Sequence, residues 1–158
     1  MKKVIIPALS SVVGAVAGGI TVAKLSKDEQ NRLKSLADKH LVLMKLFNQW
    51  MLTKQEGKSV IDYFHQKGIK TIAIYGMSYV GERLYDELKN TDIQVKYGID
   101  KNADAIYSDL EIVLPKDSLQ EVDAIVVTSV YFYAEIEEML AQKTDSLILS
   151  LEDILYEL

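Results

Sequence analysis

The sequence predicts an α/β fold from Lys70 to Leu158, a three-layer domain on about five parallel strands, preceded by a long amphipathic helix and an N-terminal hydrophobic helix. Three observations predict it. Short apolar runs bounded by turn residues alternate with stretches of helical periodicity, and strands that alternate with helices pair in parallel. One of these runs, Thr71-Ile72-Ala73-Ile74-Tyr75, leads straight into a turn with glycines at 76 and 81 and then into a helix. The whole chain, 158 residues with 49% hydrophobic side chains, has the composition of one globular core with an appendage. Residues 1–25 read as a membrane anchor, 26–69 as a helical linker region and 70–158 as the α/β domain.

A formal charge of -5 argues against a nucleic-acid-binding surface, which needs a basic patch to neutralise phosphates. The chain has no cysteine, so disulfides, thiolate zinc sites and cysteine nucleophiles drop out together. His40 and His65 are then the only imidazoles, and they lie on separate predicted helices.

The anchor is Val4 to Ala23, which has no charged residue, follows Lys2 and Lys3 and precedes Lys24 and Lys27. Its length of about twenty residues matches a bilayer span. Val4, Ile5, Ile6, Leu9, Val12, Val13, Val16, Ile20 and Val22 together favour insertion by about 3 to 5 kcal/mol, which the Pro, Ser, Thr and Gly positions partly offset. Ser10, Gly14 and Gly18 form one small-residue row, and Ser11, Ala15, Gly19 and Ala23 form another, a glycine-zipper pattern that lets two helices approach closely as a homo-oligomer. Ala15-Val16-Ala17 also has the form of a signal-peptidase site. Lys24, Lys27, Arg32, Lys34 and Lys39 outweigh Lys2 and Lys3, so a single-pass span in a cell membrane leaves the C-terminal domain cytoplasmic.

From Ser26 to Thr53 the chain reads as one helix without an internal Gly or Pro. Leu33, Leu36, His40, Leu43, Phe47 and Trp50 fall at a/d spacing, widened by Ala37, Met44 and Met51. That stripe needs a partner, either the following domain or a second copy in a short coiled coil. A second helix, Val60 to Lys67, carries a capping box in Ser59 and Asp62 and a left-handed stop at Gly68.

Beyond it, Gly76-Met77-Ser78-Tyr79-Val80-Gly81 stands where G-x-G-x-x-G places a dinucleotide's pyrophosphate, with Ser78 at the middle glycine. Ser78 sets a Cβ against an approaching phosphate, and a left-handed backbone there would add roughly 1 to 2 kcal/mol; its hydroxyl can instead bind the phosphate. The helix is read from Glu82 to Asn90 and the second strand as Val95 to Ile99, with Asp100 at its end, where an acidic residue accepts hydrogen bonds from ribose. Further strands at Glu111 to Leu114, Ala124 to Thr128 and Leu147 to Leu149, and helices at Tyr131 to Gln142 and Asp153 to Glu157, give the strand order 3-2-1-4-5 for right-handed crossovers. The crevice then lies between the first and fourth strands, with Thr128, Ser129 and Tyr131 as its second wall; Ser129 serves equally as a helix cap.

Gly57-Lys58-Ser59, Thr71 to Gly76, Gly81-Glu82-Arg83-Leu84, Gly98-Ile99-Asp100-Lys101-Asn102 and Val122 to Thr128 resemble the small Rossmann-like nucleotide-binding domains of bacterial polysaccharide and surface-glycan gene clusters. Such domains form the nucleotide-sugar-binding part of sugar acetyltransferases and precede the catalytic domain of membrane-bound sugar epimerases and dehydratases. The resemblance implies NAD(P) or a nucleotide-sugar as ligand and carries over to Gly76, Gly81 and Asp100, while Ser78 and Lys101 depart from the pattern.

Tyr63 to Lys67 and Tyr85 to Lys89 both have the Y-x-x-x-K spacing of short-chain dehydrogenases, but neither follows the glycine turn on a later element, as that chemistry requires. The sequence therefore points to a membrane-tethered, non-catalytic domain whose site is Gly76, Met77, Ser78, Tyr79, Gly81, Asp100, Thr128, Ser129 and Tyr131. An interaction protein that has lost its small molecule, or a sugar-modifying enzyme subunit, are the alternatives.

Overall fold

The computed structural model describes the backbone from Ile5 to Leu158 and the side chains from Lys27 onward. The side chains of the expected span at 4–23, with its small-residue rows and the Ala15-Val16-Ala17 site, lie outside the described residues. Among the described residues, no helix is long and apolar enough to cross a membrane. The chain divides into Met1–Leu41 and Val42–Leu158.

The first helix, α1, runs from Ile5 to Gln55 without interruption. In the part before Val42, Leu33, Leu36, His40 and Leu41 are exposed, and Glu29 pairs with Arg32 one turn away.

In the second unit the last turns of α1 do pack, on a face that shares Leu43 and Trp50 with the expected a/d stripe but turns away from Phe47. Leu46, Trp50 and Thr53 are buried, with Val42 and Leu43 partly so, while Met44, Phe47 and Met51 face out. The fit is fixed by polar contacts as well as area. Trp50 Nε1 donates to Glu87 Oε2 at 3.0 Å, Lys54 pairs with the same carboxylate, and Gln49 Nε2 donates to the Leu155 carbonyl at 3.2 Å. Helix α2, Val60–Lys67, begins where the Asp62 carboxylate accepts the Ser59 amide at 2.7 Å and ends at Gly68 with φ 71°, as the sequence predicts.

A sheet of five parallel strands follows in the order β3-β2-β1-β4-β5, the predicted one. Its strands are β1 Thr71–Tyr75, β2 Gln94–Ile99, β3 Ile112–Val113, β4 Ala124–Val127 and β5 Leu147–Ser150. β3 is shorter than the predicted Glu111 to Leu114, and past its end the Leu114 amide donates to the Asp117 carboxylate at 3.0 Å rather than to the sheet. Helix α3, Tyr79–Leu88, starts earlier than predicted, with Ser78 rather than Gly81 at its N-terminus. The chain reaches α4, Tyr133–Ala141, through a 3-10 turn at Val130–Phe132, and α5, Leu151–Glu157, follows β5 directly.

Alternation along the strands separates two cores. Ile72, Ile74 and Val126 face α1, α2, α3 and α5, whereas Ala73, Tyr75, Ile125 and Val127 face α4. β2 keeps this pattern only through a bulge. The register skips Lys96, so Val95 packs on the first side and Tyr97 and Ile99 on the second. At the start of β1, the Asp123 carboxylate accepts the Lys70 and Thr71 amides at 2.9 and 2.7 Å, and those bonds hold it below the usual carboxylate range.

Trp50→Ala should cost about 3 to 5 kcal/mol in denaturant unfolding of the full chain, while Met44→Ala on the outer face should change stability by less than about 0.5 kcal/mol. The lowered Asp123 pKa sets a pH signature. Its stabilisation is complete above the ordinary Asp value of about 4 and is lost as pH falls through the lower folded value. Asp123→Ala should therefore melt below the parent protein at neutral pH, and the gap should close in acid.

Candidate functional site

The site begins where β1 ends. Gly76 has φ +96°, and a Cβ there would meet Ser129 Oγ at 2.5 Å and Thr128 Oγ1 at 2.8 Å, so only glycine fits. Thr128, buried at the end of β4, lies with Oγ1 3.1 Å from the Tyr75 carbonyl and 2.5 Å from the Gly76 carbonyl, which its hydroxyl bonds. Gly81, in the first turn of α3, lies so close that its Cβ would sit 2.1 Å from the Gly76 oxygen. These three contacts bring the ends of β1 and β4 and the start of α3 together.

Asp100 closes the fourth side. Its Oδ2 accepts the Met77 amide at 2.9 Å and its Oδ1 the Asn102 amide at 2.8 Å, which ties the end of β2 to the glycine turn. The turn thus spends one amide on its own protein. Ser78 has φ −83° and ψ −162°, ordinary extended backbone, so serine at the middle position carries no left-handed strain. Its hydroxyl makes no capping bond to α3.

A cavity of about 420 Å³ opens beside this junction, on the α4 side of the sheet. Tyr75, Gly76, Asp100, Lys101, Asn102 and Ser129 line it from the strand ends, and Phe132, Glu135, Ile136 and Met139 from α4 and the turn before it. Tyr75 is 97% buried, and among the described residues its Oη is the one buried side-chain polar atom without a hydrogen-bond partner. Burial, and then the nearby Asp100 carboxylate, raise its pKa, so the phenol keeps its proton. The α4 wall is anchored by Tyr133, whose Oη lies 2.8 Å from Glu137 Oε1 and 3.2 Å from the Ile148 carbonyl.

Of the sequence-predicted residues, Gly76, Asp100 and Ser129 line the cavity. Thr128 and Gly81 build the junction beneath it. Met77 turns to the opposite face and packs over Gly98, and Ser78, Tyr79 and Tyr131 are exposed outside the lining. The sequence assigns no site role to Tyr75, Phe132, Ile136 or Met139, and Lys101 and Asn102 enter it only within the motif after the second strand, Lys101 as a departure from the pattern. Phe132, Ile136 and Met139 do recur at helical spacing, and a tyrosine closing an otherwise aliphatic strand was a visible anomaly.

The two Y-x-x-x-K pairs lie away from the cavity. Lys67 caps the Tyr63 ring at 5.2 Å and pairs with Glu157, and Lys89 bonds Asp86 on α3. No family model matches this chain, and no curated protein or solved structure matches it.

Gly81→Ala should lower stability by about 1 to 3 kcal/mol, since the methyl group meets backbone that cannot swing aside. Gly76→Ala adds φ strain of about 1 to 3 kcal/mol on top of a similar clash. Both should appear as a lower denaturant midpoint with the slope unchanged.

Proposed function

We propose that this chain is a membrane-tethered, non-catalytic protein whose α/β domain binds a nucleotide or nucleotide-sugar for bacterial surface-glycan assembly. The observation that carries the binding reading is the cavity at the carboxyl ends of β1, β2 and β4. Its 420 Å³ falls in the range of small-molecule sites, and it combines an apolar floor with a few convergent polar groups. In parallel sheets ligands sit at that end, where the strand order reverses, and β1 lies between β2 and β4 at this reversal. The start of α3 adds a positive dipole end beside the turn. Support for the tether is the uncharged segment at 4–23 with its basic C-terminal flank, and support for the glycan context is the motif resemblance. NAD(P) and nucleotide-sugars are the ligand classes that the resemblance brings.

A second reading has its own support. With the Met77 amide held by Asp100 and Ser129 packed over Gly76, part of the phosphate cradle is occupied from within. An interaction protein would use the exposed apolar residues of α1 instead.

Titrating the full chain with nicotinamide dinucleotides, nucleoside diphosphates and UDP- or GDP-sugars separates the two. One ligand class should raise the melting temperature by roughly ten degrees at a hundred times its Kd, equivalent to about 2.7 kcal/mol. Met139→Trp, which fills the cavity from the α4 wall, should abolish that shift. A flat response from folded protein moves the assignment to the interaction reading. On topology, a reporter fused after Leu158 should be cytoplasmic in membrane-fractionating protein; digestion of that end from outside intact cells would refute the orientation.

A further inference from the structure

We infer that α1 pairs with α1 of a second copy of this chain, parallel and in register, along an apolar stripe at heptad spacing. Such a pair needs no ligand in the cavity and is compatible with either reading above. It identifies what meets the exposed side of α1.

The first support is spacing. Leu33, Ala37, His40, Met44, Phe47 and Met51 are separated by four, three, four, three and four residues, the alternation that keeps one seam facing a partner helix. In heptad letters Ala37, Met44 and Met51 are a positions, and Leu33, His40 and Phe47 are d positions. All six are exposed, on a helix that runs unbroken through them. Within the second unit the α/β domain takes a different side of α1. Leu46, Trp50 and Thr53 are buried there, and at about 100° per residue they are centred about 130° round the helix from Met44, Phe47 and Met51. Met44 and Met51 are left 63% and 64% exposed. Apolar side chains scattered singly over a surface need no partner, but a row that keeps its register from Leu33 to Met51 calls for one.

The second support is the flanking positions, which choose the orientation. In a parallel pair each g residue faces the e residue five positions further along the partner helix. Glu29, at g, then faces Lys34 of the second copy, and Leu36, also at g, faces Leu41 of the second copy. Charge meets opposite charge, leucine meets leucine, and all four side chains are exposed. Arg32 already donates to both Glu29 oxygens, at 3.0 and 2.8 Å, but a carboxylate offers about four acceptor sites. An antiparallel pair sets g against g and e against e, which gives Glu29 no cation and Lys34 no anion.

The third support is self-complementarity. A two-fold axis presents the same stripe on both helices, so each flanking match is made twice. His40 is the polar member of the seam, and one polar side chain at such a position lowers stability while fixing register.

The test is sedimentation equilibrium of the full chain in density-matched detergent, with cysteine crosslinking in membranes; neither involves a nucleotide, so the binding reading stands or falls apart from them. The chain has no cysteine of its own, so each introduced thiol reports alone. Ala37→Cys and Met51→Cys, about 21 Å apart along the helix, should each give a disulfide-linked dimer on mild oxidation, whereas Asp38→Cys, off the seam, should not. Only a parallel, in-register pair links both seam positions to themselves. Met44→Glu should weaken the dimer about a hundredfold and leave the melting temperature of the α/β domain, read below the dimer's dissociation constant, unchanged. His40→Leu should tighten the dimer about tenfold. Glu29→Lys should weaken it about fivefold, and adding Lys34→Glu should restore it to within about twofold. A chain still monomeric at roughly a hundred micromolar, a dimer unmoved by Met44→Glu and so held elsewhere, or linkage at only one of the two seam positions overturns the inference.

Discussion

The structure of this domain depends on one backbone contact, the seating of Gly81 against the carbonyl of Gly76. There is no room for even a methyl group between them, at 2.1 Å from a Cβ that glycine lacks. Because the two residues belong to the end of β1 and the first turn of α3, their approach fixes how the helix leaves the sheet. Thr128 then bonds the same carbonyl from the end of β4, so two parallel strands and a helix converge on one peptide group. A change at any of the three moves the other two.

That junction also decides what the site has to offer. In a turn built to cradle a phosphate, successive amides point outward together. Here Asp100 reaches across from β2 and accepts the Met77 amide, which stiffens the turn and withdraws a donor from solvent. The same carboxylate accepts the Asn102 amide and so shapes its own loop. Asp100 is therefore a brace of the fold, and Asp100→Ala would loosen the turn itself, whereas Glu135 and Met139 line the cavity from the α4 wall without bracing it.

Much of this was legible in the sequence. Apolar runs and glycine spacing fix strand order and turn, because burial on both faces leaves a continuous β-branched pattern such as Ala124 to Val127, and because Gly76 and Gly81 each answer a steric demand that no other residue meets. The cap and stop of α2 were equally readable, being local chemistry between residues three to five positions apart. What stayed hidden depends on rotation and distance. The a/d stripe on α1 places Leu43 and Trp50 correctly but also selects Phe47, while packing adds Leu46 and Thr53, because several faces of that helix carry apolar residues and only the neighbouring α3 and α5 decide among them. Several cavity-lining side chains were missed for a related reason. Tyr75 reads as one more strand residue until the face it points to is known, and that face depends on its neighbours in the sheet.

The position of the cavity follows from chain length between strands. β3 ends at Val113 and β4 begins at Ala124, and the connection between them is a loop carrying Pro115, held down where the Tyr97 hydroxyl donates to the Gln120 carbonyl at 2.6 Å. On the other face, α3 fills the crossover between β1 and β2. The α4 face therefore has its helix beside β4 and β5 and a thin covering over β2 and β3. The bulge at Lys96 turns Tyr97 and Ile99 toward this thinner side, where they supply its core. At the strand ends, past the reach of the loop and beside the first turns of α4, the space over Tyr75 and Asp100 stays open. The cavity on this face is thus what a short β3 to β4 connection leaves behind, and its polar rim comes from whatever residues end β1 and β2.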